Sequence, residues 1–350
     1  MDRNGVYRPV DRLDGIQAAR GIAALLVAMV HQSSMIGRDP YFQFELPFSG
    51  FFEFAGSGVD LFFVISGFII SYIYCFGDKE DSRGVRGYFL KRLIRIYPSY
   101  WAALFLAVPM NYIYSGDNGM DFFDLLSSAL LIPYGNNMIY SPAWTLRHEI
   151  IFYIIFSFLF FNRNFALLVI FGWISFIVFF GFGERLPVVF FDILASPWNL
   201  EFLAGILAWC LSRKIGLLSS RILLSAGIVL FSAAAAVDFI HGPIEMPWRL
   251  PAYLVASFLI VSALGARSSA NFPLRVPGAL LVLGDASYSL YLTHPFFQVA
   301  VNKVVKMLHL PLGGEILFAL GMIAAVAGGI VFYWLVEKPL LTSCRRWVLG

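Results

Sequence analysis

The chain has 350 residues, of which 59% are hydrophobic and only 13% charged, and its mean hydropathy is +0.75. Soluble domains carry about 25% charged residues, so a soluble fold is excluded; the formal net charge of +3 decides little, and no nucleic-acid partner is expected. The composition specifies an all-α, polytopic integral membrane protein with lipid as the solvent for most of its 36 phenylalanines. Three cysteines, Cys75, Cys210 and Cys344, lie far apart with no CxxC or metal-type spacing, which argues against a disulfide framework. The segment before the first apolar run is polar and that run is of membrane length, so no cleavable signal peptide is expected.

Runs long enough to span a bilayer recur at 15–35, 57–76, 97–115, 143–161, 164–181, 190–212, 220–240, 249–266, 278–300 and 315–337, about ten helices in all. Pro187 and Pro197 are placed to split the sixth into a re-entrant piece and a span. The stretch 121–133 is too short to cross and is predicted to lie at an interface. If the N-terminus is inside and the helices alternate, Lys and Arg concentrate on the cytoplasmic side. Only Arg38, Arg185, Arg249, Lys303 and Lys306 then fall in outside loops, with Arg20 and Arg147 inside helices. This asymmetry puts both termini in the cytoplasm. No internal repeat, soluble segment or low-complexity linker interrupts the chain, so 1–350 reads as a single membrane domain.

In the first helix the apolar run is broken by Arg20 and His31. Residues eleven apart are turned only about 20° from one another on a helix and lie roughly 16 Å apart along it. Ionisable groups at such positions usually face a protein interior and mark a substrate or proton path. Helix 2 carries Asp60 near its outer end, helix 4 carries Glu149 one to two turns in, and helix 9 carries His294 in the outer half. His31, Asp60, Glu149 and His294 thus share one depth. At the opposite face Arg92 and Arg95 stand at i and i+3 where the third apolar run begins, on one face of the helix. Arginine binds phosphates through planar, bidentate hydrogen bonds. A basic inner mouth and a histidine–carboxylate outer cluster suit a long phosphorylated donor, such as an acyl-CoA, whose reactive end reaches outward.

Structural readings stand beside these. Lys91, Arg92 and Arg95 also serve as positive-inside determinants, and Asp60 as a helix cap or dipole partner. His148, pointing away from Glu149, is read as structural, and His294 before Pro295 as bonded to a kinked backbone. Trp144 and other aromatic residues near helix ends are interfacial anchors. Glu337-Lys338-Pro339 reads as a cytoplasmic helix end.

Taken together the motifs are similar to those of the membrane-bound acyltransferase-3 family. They are Arg20 and His31 in the first helix, GVDLFFVISGFIIS at 58–71, FLKRLIRIYPSYW at 89–101, WTLRHE at 144–149, SYSLYLTHPF at 287–296 and VEKP at 336–339. The resemblance runs in order from residue 13 to about 340, and looks most like the bacterial exopolysaccharide acetyltransferases. It implies about ten transmembrane helices, a multi-pass position in the bacterial inner membrane, and O-acylation of an envelope or exopolysaccharide sugar. Acetyl-CoA is then a co-substrate rather than a bound cofactor, and the carbohydrate acceptor is polyprenyl-linked or already polymerised. The chain departs from the family pattern at Arg147-His148, where a small or acidic residue is common beside the glutamate.

On this reading His31 is the general base, since an imidazole titrates near neutral pH, and Glu149 orients it or positions the acceptor. Arg20, Arg92 and Arg95 bind the CoA phosphates, and Asp60, His294, Trp144 and Tyr153 are candidate substrate contacts. An acyl-enzyme route has only Ser66 and Ser71 to offer, without a visible base. No metal constellation is expected. The rival class is a transporter or flippase for a lipid-linked saccharide. Whether copies of the chain associate stays open.

Overall fold

The computed structural model describes residues 13–37, 49–76, 84–115, 121–134, 138–269 and 274–349. Every regular element among them is helical, as lipid demands of a chain that must satisfy its backbone polar groups internally. In order these are α1 (Asp14–Ile36), α2 (Gly58–Phe76), α3 (Gly84–Ser115), α4 (Phe122–Leu130), α5 (Trp144–Ser157), α6 (Arg163–Phe180) and α7 (Val189–Ala195). There follow α8 (Asn199–Ser212), α9 (Leu217–His241), α10 (Arg249–Ser269), α11 (Gly278–Asp285), α12 (Ser287–Met307), α13 (Gly314–Phe332) and α14 (Lys338–Leu349). A π-turn, Tyr333–Glu337, joins the last two. Among the described residues nine stretches are long and apolar enough to cross a membrane. The chain is a multi-pass membrane protein. Of the basic residues behind the orientation argument, Arg3, Arg8, Arg12, Arg38, Lys79 and Arg83 lie outside the described residues.

Three boundaries differ from or sharpen the sequence reading. Helix α3 begins at Gly84, so Arg92 and Arg95 sit well inside it rather than at its start. Their charges interrupt the apolar run without interrupting the helix. The expected span 278–300 is instead two helices meeting at Ala286, and it is not among the nine apolar stretches. Its second half, α12, is diluted by Ser287, Ser289, Thr293, His294, Gln298 and Asn302, all fully buried. The sixth span breaks at Ser196-Pro197-Trp198, between α7 and α8. The short stretch after residue 120 forms α4, capped by the Asp121 side chain on the Asp124 amide at 2.7 Å. Phe122, Phe123, Leu125 and Leu126 lie exposed on it, as an interfacial helix requires.

The described residues group into two compact units. The first takes in the described parts of Met1–Val30, Gly50–Phe76 and Glu201–Ser287; the second, those of His31–Ser49, Gly77–Leu200 and Tyr288–Gly350. In the first, Ile16, Ala19 and Ala23 of α1 pack on Leu61, Val64, Ile65 and Phe68 of α2, Ala204, Ala208 and Trp209 of α8, and Val261 and Leu264 of α10. Helices α2 and α8 touch backbone to backbone. A Cβ on Gly67 would strike the Phe202 carbonyl, and one on Gly205 the Val64 carbonyl and the Phe68 amide. Small residues at such crossings let helices associate where no hydrophobic drive separates lipid from side chain.

In the second unit α12 is clasped from both sides. Gln32 of α1 donates to Asn302 Oδ1 and to the Leu317 carbonyl of α13, each at 3.2 Å. Ile36, Val305 and Leu317 close the apolar layer beside it. Tyr88 of α3 donates to the Tyr153 carbonyl of α5 at 3.0 Å.

The glycine crossing gives a direct test of packing. Gly205→Ala is expected to destabilise the purified protein by about 1–3 kcal/mol, the usual effect of overpacking. Gly172→Ala, inside α6 where nothing lies within 4 Å of the new methyl, is expected to leave the unfolding temperature in detergent unlowered or slightly raised.

Candidate active site

Seven of the nine residues singled out from the sequence fall in the second unit: His31, Arg92, Arg95, Trp144, Glu149, Tyr153 and His294. The centre of the arrangement is a histidine pair. His31 projects from α1 and meets His294 of α12, with ring centroids 4.9 Å apart and 3.4 Å between His31 Nδ1 and His294 Nε2. His294 is fully buried. Its Nδ1 lies 2.9 Å from the Tyr291 carbonyl and 3.1 Å from the Leu290 carbonyl. The next residue explains this. Pro295 is inside the helix and has no N–H, so the carbonyl four residues back, Tyr291, loses its intrahelical donor. The His294 ring replaces that donor. The backbone-bonding reading of His294 is realised at Nδ1, and Nε2 is turned toward His31.

One turn back on α12, the Tyr291 hydroxyl bonds with the Pro142 carbonyl and Thr145 Oγ1, both at 2.8 Å. This anchors α12 on the start of α5. One turn further along α5 stands Glu149, whose carboxylate accepts from the Tyr153 hydroxyl at i+4. Its charge also acts on Arg95, Tyr288 and Tyr291. Glu149 therefore faces α3 and α12 together.

The two arginines of α3 are distinguished by their partners. Arg92 lies over the Tyr153 ring, 6.0 Å from its centroid. Arg95 Nη1 makes a 2.6 Å ion pair with Glu337 Oε1, and its guanidinium lies 5.1 Å from the Tyr288 ring centroid. Glu337 is fully buried and accepts from Ser289 Oγ at 2.5 Å. Tyr288 donates to the Ile96 carbonyl at 2.9 Å. Glu337, read from the sequence as a cytoplasmic helix end, is thus the anion that neutralises Arg95. The π-turn that carries it is a form often found at functional sites.

His148 and Trp144 turn elsewhere. His148 Nδ1 lies 3.0 Å from Asn199 Oδ1, and Asn199 donates to the Ile193 carbonyl at 2.8 Å. The Trp144 ring meets His148 and Trp198 edge-on at 5.6 and 5.8 Å. These residues lock α5 to the break between α7 and α8.

Arg20 and Asp60 belong to the first unit. Arg20 Nη1 donates to Gln17 Oε1 at 3.2 Å, and Gln17 donates to Asp285 Oδ1 at 2.6 Å. Asp60 is fully buried and paired with Arg249 Nη2 at 3.2 Å, with buried Glu201 facing it. Arg249, counted with the outside-loop cations, is the first residue of α10, as the span 249–266 predicts, and its charge is paired inside the unit. Among the described residues no three His, Cys, Asp or Glu gather to hold a metal ion.

A family model described as an acyltransferase domain matches residues 13–334. The chain belongs to this acyltransferase family. It is also 30% identical over 319 residues to the exopolysaccharide production protein ExoZ of Rhizobium meliloti (strain 1021), covering 84% of this chain and 92% of that protein. It is 32% identical over 162 residues to protein 2 in the picA locus of Rhizobium radiobacter, covering 40% of this chain and 76% of that one. No solved structure matches it. The acyltransferase match takes in both units and every candidate site residue, and ends just before Glu337.

Of the partners this acyltransferase uses, sequence reasoning missed Glu337, Ser289, Tyr291, Glu201 and the pairing of Arg249. The signal for Glu337 was its carboxylate directly after an apolar span. Glu337→Leu is expected to destabilise the protein by about 3 kcal/mol, because it strands the Arg95 charge. Adding Arg95→Met is expected to restore most of that loss, as read by thermal unfolding of the three variants.

Proposed function

We propose that this protein transfers a short acyl group, acetyl foremost, from acyl-CoA to a sugar hydroxyl of an exopolysaccharide or related envelope glycan in the bacterial inner membrane. The observation that carries the reading is the His31–His294 pair, and the family membership and the ExoZ relative supply the reaction class. The two carbonyls at His294 Nδ1 are acceptors only, so that nitrogen carries the proton. Neutral His294 then presents a lone pair at Nε2, and His31 donates to it from Nδ1. This leaves His31 Nε2 unprotonated, the form a general base requires.

The sugar O–H gives its proton to His31 Nε2 as the oxygen adds to the thioester carbonyl. The resulting imidazolium is held by its Nδ1–H bond to His294, which orients His31 as a triad carboxylate would but supplies no counter-charge. Collapse of the tetrahedral intermediate breaks the carbon–sulfur bond, and the His31 proton passes to the departing CoA sulfur. Atoms and charge balance with no further reactant. Glu149 and Tyr153 are assigned to the acceptor hydroxyls. Arg92 is assigned to the CoA phosphates, and Arg20 is carried forward by its place in the first helix alone. Arg95, already neutralised by Glu337, holds α3 to α12 and the π-turn.

The test is CoA release by the full chain in lipid nanodiscs, given acetyl-CoA and an envelope polysaccharide extract. His31→Ala is expected to lower kcat by about 10²–10⁴, the range of general-base catalysis. His294→Ala is expected to lower kcat with KM little changed, and His294→Gln, which keeps an acceptor toward His31, to recover part of the loss. Arg92→Gln and Arg20→Gln are expected to raise KM for acetyl-CoA. Wild-type CoA release by His31→Ala would sink the mechanism. Saccharide movement without acetyl-CoA consumption would identify a transporter instead.

A further inference from the structure

Arg147 occupies the first turns of α5, in the second unit, and is only 4% exposed. Its Nε and Nη2 have no hydrogen-bond partner, and among the described residues no carboxylate pairs with it. Besides burial, the group that acts on its charge is the Tyr100 phenol. A buried charge left without a counter-ion costs several kcal/mol, and arginine does not escape that cost by releasing its proton. The helix start makes matters worse for a cation: Ala143 supplies no side-chain cap, and the positive pole of α5 lies at this end. The same two features that disfavour an empty site favour an anion.

The unsatisfied atoms have a shape. Nε–H and the adjacent Nη2–H point in parallel from one edge of the guanidinium, the edge that grips two oxygens of a carboxylate or phosphate at once. A second orphan lies in the same unit. The Tyr140 hydroxyl is buried without a hydrogen-bond partner, its ring stacked on Phe296 at 5.3 Å. Tyr140 and Arg147 are both in electrostatic range of Tyr100, whose own hydroxyl is committed to the Ser128 carbonyl at 2.6 Å. Two buried donors without acceptors therefore flank one phenol. Arg147 stands apart from the catalytic arrangement, pointing away from Glu149 and Thr145, which lie on the face of α5 turned to α12, while Tyr140 lies between it and the Tyr291 side of that arrangement.

We propose that Arg147, with Tyr140, forms an oxyanion-binding site for a carboxylate or phosphate on the substrate. Resting on the proposed function, that group belongs to the glycan acceptor: either an acidic sugar carboxylate or the phosphate of a lipid-linked carrier. The site selects an acceptor by charge, at a position away from the hydroxyl that reacts.

The test uses the full chain in a neutral maltoside detergent, which supplies no phosphate of its own, and reads thermal unfolding without any acyl donor. Wild type is expected to be stabilised by glucuronate, by inorganic diphosphate, or by both, and not by glucose. A response to glucuronate alone assigns the site to an acidic sugar, and one to diphosphate alone assigns it to a phosphorylated carrier. Arg147→Gln is expected to weaken the responding anion at least about tenfold, as loss of charge-assisted bonds does, and Tyr140→Phe to weaken it less. Arg147→Met is expected to raise the unfolding temperature of the ligand-free protein, since it removes a charge that nothing compensates. No stabilisation of wild type by either anion, an anion response that survives in Arg147→Gln, or a lower unfolding temperature for Arg147→Met would each overturn the proposal. Because no acyl transfer is measured, failure of the anion site is distinguishable from failure of the acyltransferase reading.

Discussion

In a chain whose solvent is lipid, a backbone carbonyl that loses its donor has no water to turn to. Pro295 creates such a carbonyl at Tyr291, and the side chain one residue before the proline fills it. That single substitution of a ring N–H for a backbone N–H fixes how His294 is oriented and which of its nitrogens faces His31. The neighbouring contacts depend on the same segment of α12. Tyr291 anchors it on α5, Tyr288 on α3, and Ser289 on the π-turn through Glu337. Four consecutive functions are thus carried by SYSLYLTHPF, a stretch that hydropathy alone would describe as an indifferent helix.

Much of this was legible in the sequence, and what was not has a common cause. The spans themselves are local: an apolar run of sufficient length is a helix in lipid whatever else the chain contains. Arg20, His31 and Glu149 stood out because each is expensive inside such a run. Partners, by contrast, come from far along the chain. His31 and His294 are 263 residues apart, Arg95 and Glu337 242, Asp60 and Arg249 189. Periodicity says that a charge needs compensation without saying who supplies it. This is why Glu337 looked like a helix end and Arg249 like a loop residue. It is also why α3 appeared to begin late: a charge that will be neutralised by tertiary contact is indistinguishable in one dimension from one that marks a membrane surface.

Among the described residues, charged side chains drawn into the fold differ in what meets them. Arg95 and Asp60 are matched by an opposite charge from another helix and so hold helices together. Arg147 is matched by nothing within the described residues. On the proposal above, that orphaned guanidinium marks a place where the molecule is completed by something it does not encode. The departure from the family pattern at Arg147-His148 resolves the same way: His148 is absorbed into the lock with Asn199, and Arg147 is not absorbed at all.

The locking of His294 Nδ1 onto two carbonyls has a consequence for bioenergetics. A chain of imidazoles passes protons only if each ring can accept at one nitrogen and release from the other. His294 can do neither at its far side, because what lies there are backbone oxygens that take no proton onward. The pair is a cul-de-sac. A cell membrane that stores energy as a proton gradient cannot tolerate a titrating group wired through to its far face, and here the wire stops one residue after it starts. Under the mechanism proposed for His31, the base can take up and release its proton without that proton being relayed onward through His294 Nδ1.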